Sequence, residues 1–195
     1  DFGHARKTVA AICQPVMASR RMRIGAEYVG EHRNAKENAL GLIEKIRSVG
    51  YHGALENLDM IPDPSALSDE LSGRSVWSWY RGVGFTSYGA PLIVGPDSVD
   101  VGCTVVRSMI IDERVEVDPE CEVIIEGFEQ YHRPVDRITG EVRSNKPEHD
   151  VYSHPMDAVR YAVTSVYDVD DLEGVGLVTF PDLVSASAVQ ARKDD

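Results

Sequence analysis

The stretch Ser153-His154-Pro155-Met156-Asp157-Ala158-Val159-Arg160-Tyr161-Ala162-Val163 decides how the rest of the chain is read. Met156, Val159, Val163 and, just beyond, Val166 recur every three or four residues, the spacing of one buried helical stripe. Ser153 and Pro155 suit a helix start. Asp157 then falls in the first turn, where the helix dipole favours a carboxylate, and Arg160 follows at ion-pairing distance. On these grounds alone the pair reads equally well as a surface contact or as a group holding a carboxylate or phosphate.

Upstream of this helix, Arg133 to Glu148 places Thr139-Gly140 between two polar arms, an exposed hairpin. Before it, Pro119 opens a helix with Cys121, Ile124, Phe128 and Tyr131 on one face, and Arg114 to Asp118 is a short strand. Val101, Val105, Met109 and Ile110 mark a helix after the cap Asp97-Ser98. Nearer the start, Thr8 to Val16 and Met22 to Glu31 flank the turn Ala18-Ser19-Arg20-Arg21 as an antiparallel pair. Asn34 and Glu37 form a capping box for a helix from about Ala35 to Val49, which Gly50 stops. Leu55 to Ile61 is expected to be a strand leaving through Pro62-Asp63-Pro64, and Arg74 to Trp79 another, with Trp77 and Trp79 alternating as packing residues. Tyr80 to Pro96 reads as a long loop. Strands first, then strands alternating with helices, imply an α/β fold: a mixed sheet covered by helices on both faces.

The 195 residues, 43% of them hydrophobic, suit one domain over residues 1–167 and an acidic extension over 168–195 whose end, from Ala191, is mobile. No apolar run is long enough to span a membrane and DFGHARK is no signal peptide, so a soluble cytoplasmic protein is expected. Cys13, Cys103 and Cys121 are odd in number and widely spaced, which points to buried small hydrophobes rather than disulfides or zinc ligands. The net charge of -12 argues against tight, free-standing, nonspecific binding to nucleic acid. Any such contact must be local, metal-assisted or supplied by another domain. No GxxxxGK[ST] loop is present, so ATP hydrolysis is not expected.

Three acids stand at element ends, where side chains can converge: Asp1, Asp63 and Asp157. Each also has an ordinary reading as a turn or helix-start residue. The segment SHPMDAVRYAV changes the balance. It resembles the last helix of phage large terminase nuclease domains, where a His-x-x-Asp-Ala-x-Arg-Tyr pattern carries a metal-binding aspartate. DPECEVIIEGFEQYHR followed by a polar hairpin resembles that family's C-terminal half, IPDPSA its second acidic motif, and DFG before a strand its first. The likeness runs from Asp1 to about Val166, and the last motif is the specific one.

The resemblance implies an RNase H-like fold and cleavage of double-stranded concatemeric DNA by a two-metal mechanism, with two Mg2+ or Mn2+ ions held by Asp1, Asp63 and Asp157. It also implies a terminase ATPase domain, a portal and a small terminase as partners, and the host cytoplasm as location. In the family the first aspartate ends the central strand, which would lie before Asp1. Hard cations prefer oxygen ligands, and paired ions suit phosphodiester hydrolysis. Asp59, four residues before Asp63 on the expected strand, would share its face and rivals it. Glu27 reads as an exposed strand carboxylate or a further contributor. His154 and Arg160 are candidates for orienting water, phosphate or a carboxylate. Arg133, Arg137, Arg143 and Lys146, around the hairpin, are the candidate DNA contacts; Arg20, Arg21 and Arg23 read as a solvated turn. Two alternatives stay open: another RNase H-like nuclease of resolvase or integrase type, and a noncatalytic docking module of a packaging motor.

Overall fold

The computed structural model describes residues 7–67, 74–86, 98–136, 138–144 and 147–167. Two strands, β1 (Thr8–Val16) and β2 (Arg21–Gly30), pair antiparallel around a 3-10 turn at Met17–Ser19, with Arg20 left-handed at φ 50°. A third strand, β3 (Val115–Val117), runs parallel to β2 on its other side. The sheet is therefore mixed, in the order β1-β2-β3.

Five helices among the described residues cover it: α1 (Ala35–Ser48), α2 (Val76–Gly82), α3 (Ser98–Ile111), α4 (Glu122–Gln130) and α5 (Ser153–Thr164). On β1, Ala10 and Ile12 face one core with α1 and α2, whereas Ala11 and Cys13 face another with α3, α4 and α5. That alternation follows from the pleat and produces two cores from one strand. β2 behaves differently. Met22 and Ile24 join the α3–α5 core and Tyr28 joins the α1–α2 core, although all three positions are even. The pairing explains this: Ile12 sits opposite Ala26 and Cys13 opposite Ile24, so Gly25 is an extra, bulged residue that reverses the strand's parity.

The capping box on α1 is complete, with Asn34 and Glu37 exchanging hydrogen bonds, and Gly50 ends the helix at φ 89°. At α4, Glu27 reaches across from β2, and its two carboxylate oxygens accept the N–H groups of Val123 and Ile124, each at 2.9 Å. It is a helix cap, neither an exposed strand residue nor a member of the acidic site. The late hairpin also forms. Val135 bridges Val142 around Gly140, which adopts φ 73°.

Two expected strands are absent from the described structure. Leu55–Asn57 is a 3-10 turn, followed by extended chain with an isolated bridge residue at Met60. Leu55 and Leu58 sit three apart, the repeat of a 3-10 turn, and both pack on the α1–α2 core. The Trp77–Trp79 segment is helix α2: Ser75 caps it by accepting the Ser78 N–H at 3.3 Å, and Val76, Trp77 and Tyr80 are buried. Tertiary burial overrides the β preference of these side chains. The long loop expected from Tyr80 begins inside α2, and its residues 87–97 lie outside the described structure, as does the 168–195 extension. No helix among the described residues is long and apolar enough to cross a membrane.

Candidate functional site

A groove of about 740 Å³ runs along β1 between α5 and the 58–66 segment. Much of its wall is apolar and belongs to the two cores. Its polar part gathers Asp59, Asp63, His149, His154, Asp157 and Tyr161. Two of the three expected acidic ligands thus meet, from elements far apart in the chain. Asp1 lies outside the described residues.

Asp63 is fixed by its own turn. Its Oδ1 accepts the Ser65 N–H at 2.7 Å and the Ser65 hydroxyl at 2.5 Å, the bonding that an Asp-Pro-Ser sequence favours. Its Oδ2 accepts a long hydrogen bond, 3.4 Å, from the Tyr161 hydroxyl on α5. Burial, and next the Asp63 charge, push the Tyr161 pKa upward, so this hydroxyl remains a donor at neutral pH. Asp59 lines the same groove, yet the segment is not a strand, so strand parity does not place it there.

Asp157 is the fifth residue of α5 rather than a first-turn residue, because the helix begins at Ser153 with Tyr152 as its cap. Its Oδ1 accepts Arg160 Nη2 at 2.6 Å, and Oδ2 takes no hydrogen bond from a described residue. The contact is no surface ion pair: Arg160 is 5% exposed. Desolvation works against its charge, but the Asp157 hydrogen bond and charge more than offset it, and the Arg160 pKa stays raised. The guanidinium also lies over the Tyr161 ring, 4.4 Å from its centroid.

Two histidines edge this part of the groove, their rings 5.9 Å apart and nearly perpendicular. The Ser153 hydroxyl donates to the Asp150 carbonyl at 2.7 Å, so at its 3.1 Å contact with His149 Nδ1 it must accept. His149 therefore carries hydrogen on Nδ1, and in its neutral form leaves Nε2 as the acceptor. Sequence spacing singled out His154 and missed His149, Ser65 and the Tyr161 link to Asp63. Only Ser65 left a signal, in the Asp-Pro-Ser turn.

The basic hairpin is more neutral than its composition suggested. Arg143 binds Asp136 through Nε and Nη2 at 3.1 and 2.6 Å, and Arg133 pairs with Asp100 at 3.5 Å. Arg137 and Lys146 lie outside the described residues. In the first turn, Arg23 pairs with Glu116 at 3.8 Å. Cys103 and Cys121 are free thiols that burial pushes up to about 11, which makes them poor ligands.

Among the described residues no group of three or more His, Cys, Asp or Glu side chains is arranged to hold a metal ion. What Asp63 and Asp157 offer is carboxylate oxygen without thiolate, a donor chemistry that fits a hard divalent cation and leaves room for further ligands.

No protein-family model matches the chain, and no curated protein matches it. Solved structures do. Two structures of the large terminase from a thermophilic bacteriophage superpose with TM-scores of 0.61 and 0.62 at 18% and 19% identity, covering 85% of this chain. This chain spans only 38% and 37% of theirs. The nuclease domain of the g2p large terminase from bacteriophage SPP1, with bound Mn, superposes at 0.50 and 22% identity, over 83% of this chain and 85% of that one. The chain has the fold of the large-terminase nuclease domain, an RNase H-like mixed sheet.

Proposed function

We propose that this chain is the metal-dependent endonuclease domain of a phage DNA-packaging terminase, hydrolysing double-stranded concatemeric DNA with two Mg2+ or Mn2+ ions. The observation that carries the reading is the convergence of Asp63 and Asp157 on one groove, from a loop turn and a helix, in a fold shared with a nuclease domain solved with Mn. Asp1 is the third ligand in this reading. Two divalent ions, when bound, supply the means to activate a water and to stabilise the leaving oxygen in phosphodiester hydrolysis.

The chain's own residues then divide the remaining work. Asp63, braced by Ser65, and Asp157, held through Oδ1 by Arg160, present carboxylate oxygens to the groove. His149, with Nδ1 committed to Ser153, and His154 stand at its edge, placed to orient water or phosphate. With a net charge of -12, productive contact with DNA depends on the ions, on the hairpin basic residues Arg133, Arg137, Arg143 and Lys146, and on an ATPase domain, a portal and a small terminase acting with this chain in the host cytoplasm. Residues 1–167 form the nuclease unit in this reading.

The test is plasmid nicking by the purified chain in Mg2+ or Mn2+, with and without EDTA. Cleavage that needs the ion, is at least as fast in Mn2+, and disappears in Asp157→Asn is expected. Cleavage undiminished by EDTA, or a folded chain with no cleavage in either metal, overturns the proposal.

A further inference from the structure

Burying Arg160 is costly for this helix. Its guanidinium is almost wholly enclosed, and its Nε is buried without a hydrogen-bond partner. A buried ion pair is a weak stabilising device, often matched or bettered by apolar side chains of similar volume. The surrounding structure nevertheless makes room for it. Gly102 on α3 faces the Arg160 stem so closely that a Cβ there would stand 2.8 Å from both Cγ and Cδ. Tyr161 carries the guanidinium on its ring and extends its hydroxyl to Asp63. Consecutive helical residues point about 100° apart, so two neighbours seldom serve one site. Here the stacked pair reaches both groove acids, Asp157 through Arg160 and Asp63 through Tyr161.

We propose that Arg160 is a positioning residue that acts as a resident counter-cation for the acidic groove, held in place by Tyr161 and by the space that Gly102 leaves. The inference rests on the metal-nuclease reading above. Without divalent ions, Asp63 and Asp157 repel each other, and a guanidinium that cannot lose its proton offsets part of that repulsion. By occupying Asp157 Oδ1, it also leaves Oδ2 as that residue's ligand oxygen. The same positive charge opposes an arriving cation. Arg160 therefore lowers affinity for divalent metal while it orders the metal-free site.

This double action has a signature that a merely structural residue lacks. Arg160→Gln keeps an N–H donor for Asp157 but removes the charge. The probe is Mn2+ alone, added to the full chain, read by calorimetric titration and by melting in EDTA and in excess Mn2+. The Gln variant is expected to melt below the parent in EDTA, to bind Mn2+ about threefold to tenfold more tightly, and to gain more melting temperature from Mn2+ than the parent does. Arg160→Lys, which keeps the charge, returns the affinity toward the parent's. Equal or weaker Mn2+ binding by the Gln variant overturns the proposal, as does a Gln variant that Mn2+ fails to restore to the folded state. A parent chain that shows no Mn2+ binding overturns the metal-nuclease reading itself.

Discussion

Tyr161 donates a hydrogen bond to Asp63 across 98 positions of sequence, tying the Asp-Pro-Ser turn to the helix that carries Asp157. The two acids are thus mechanically connected before any ligand arrives. Their mutational phenotypes should consequently separate into charge effects and linkage effects.

Asp157→Asn removes a ligand charge and also the partner of a buried guanidinium. Cleavage is expected to fall by orders of magnitude. The metal-free variant should also lose about 1–3 kcal/mol of stability, because Arg160 keeps a hydrogen-bond acceptor but loses its counter-charge. Denaturant unfolding in EDTA, paired with plasmid nicking, checks both parts. A variant as stable as the parent that nicks at a comparable rate contradicts the assignment.

Asp63→Asn and Asp59→Asn distinguish the two acids of the 58–66 segment. Ser65 and Tyr161 brace Asp63, so its oxygens are held in the groove. The Asp63 variant should lose cleavage and Asp59→Asn should largely retain it. Loss with Asp59→Asn alone would transfer the ligand role.

Glu27→Ala should cost stability without touching the site. It uncovers two N–H groups at the start of α4, a capping loss of about 1–2 kcal/mol. Chemical denaturation measures the cost. Plasmid nicking by the folded variant should match the parent.

Asp136 gives the hairpin a dependence on pH. Its bond with Arg143, then the N–H groups of Thr139 and Ile138, hold its carboxyl below the ordinary carboxylate range. A lowered folded value means that the turn's ionic support is complete above the unfolded carboxylate pKa and fades as pH falls through the lowered one. Carboxyl-detected NMR titration should show this. Arg143→Ala should bring Asp136 back toward the ordinary range, and an unchanged midpoint would show that Arg143 is not the main cause.

The elements that were legible in sequence share strong local signals. Asn34 and Glu37 marked α1, the apolar stripe from Met156 to Val163 marked α5, and Gly140 marked the hairpin turn. Asp63 and Asp157 were identified by motif, and the groove brings them together. The failures have physical causes. α2 is rich in aromatic side chains that prefer strands in isolation, and their burial in the α1–α2 core, with the Ser75 cap, overrides that preference. The Leu55 to Ile61 segment carries apolar residues with only an isolated bridge at Met60, short of the ladder that makes a strand. Glu27 and Tyr161 act through contacts spanning 96 to 98 positions, which no local pattern encodes.

The bulge at Gly25 gives β2 a phase slip: the apolar side chains of its first half are keyed to the α3–α5 core, which includes the helix that carries Asp157, and Tyr28 in its second half to the core on the opposite side. The glycine itself contributes no side chain to either core. Excising it would join Ile24 directly to Ala26 in a regular ladder, with Cys13 and Ile12 still opposite them, so each half would keep its core. Ironing the bulge flat with the glycine retained would instead turn Met22 and Ile24 to the wrong face. What the strand tolerates least is therefore a regular ladder that still counts this residue.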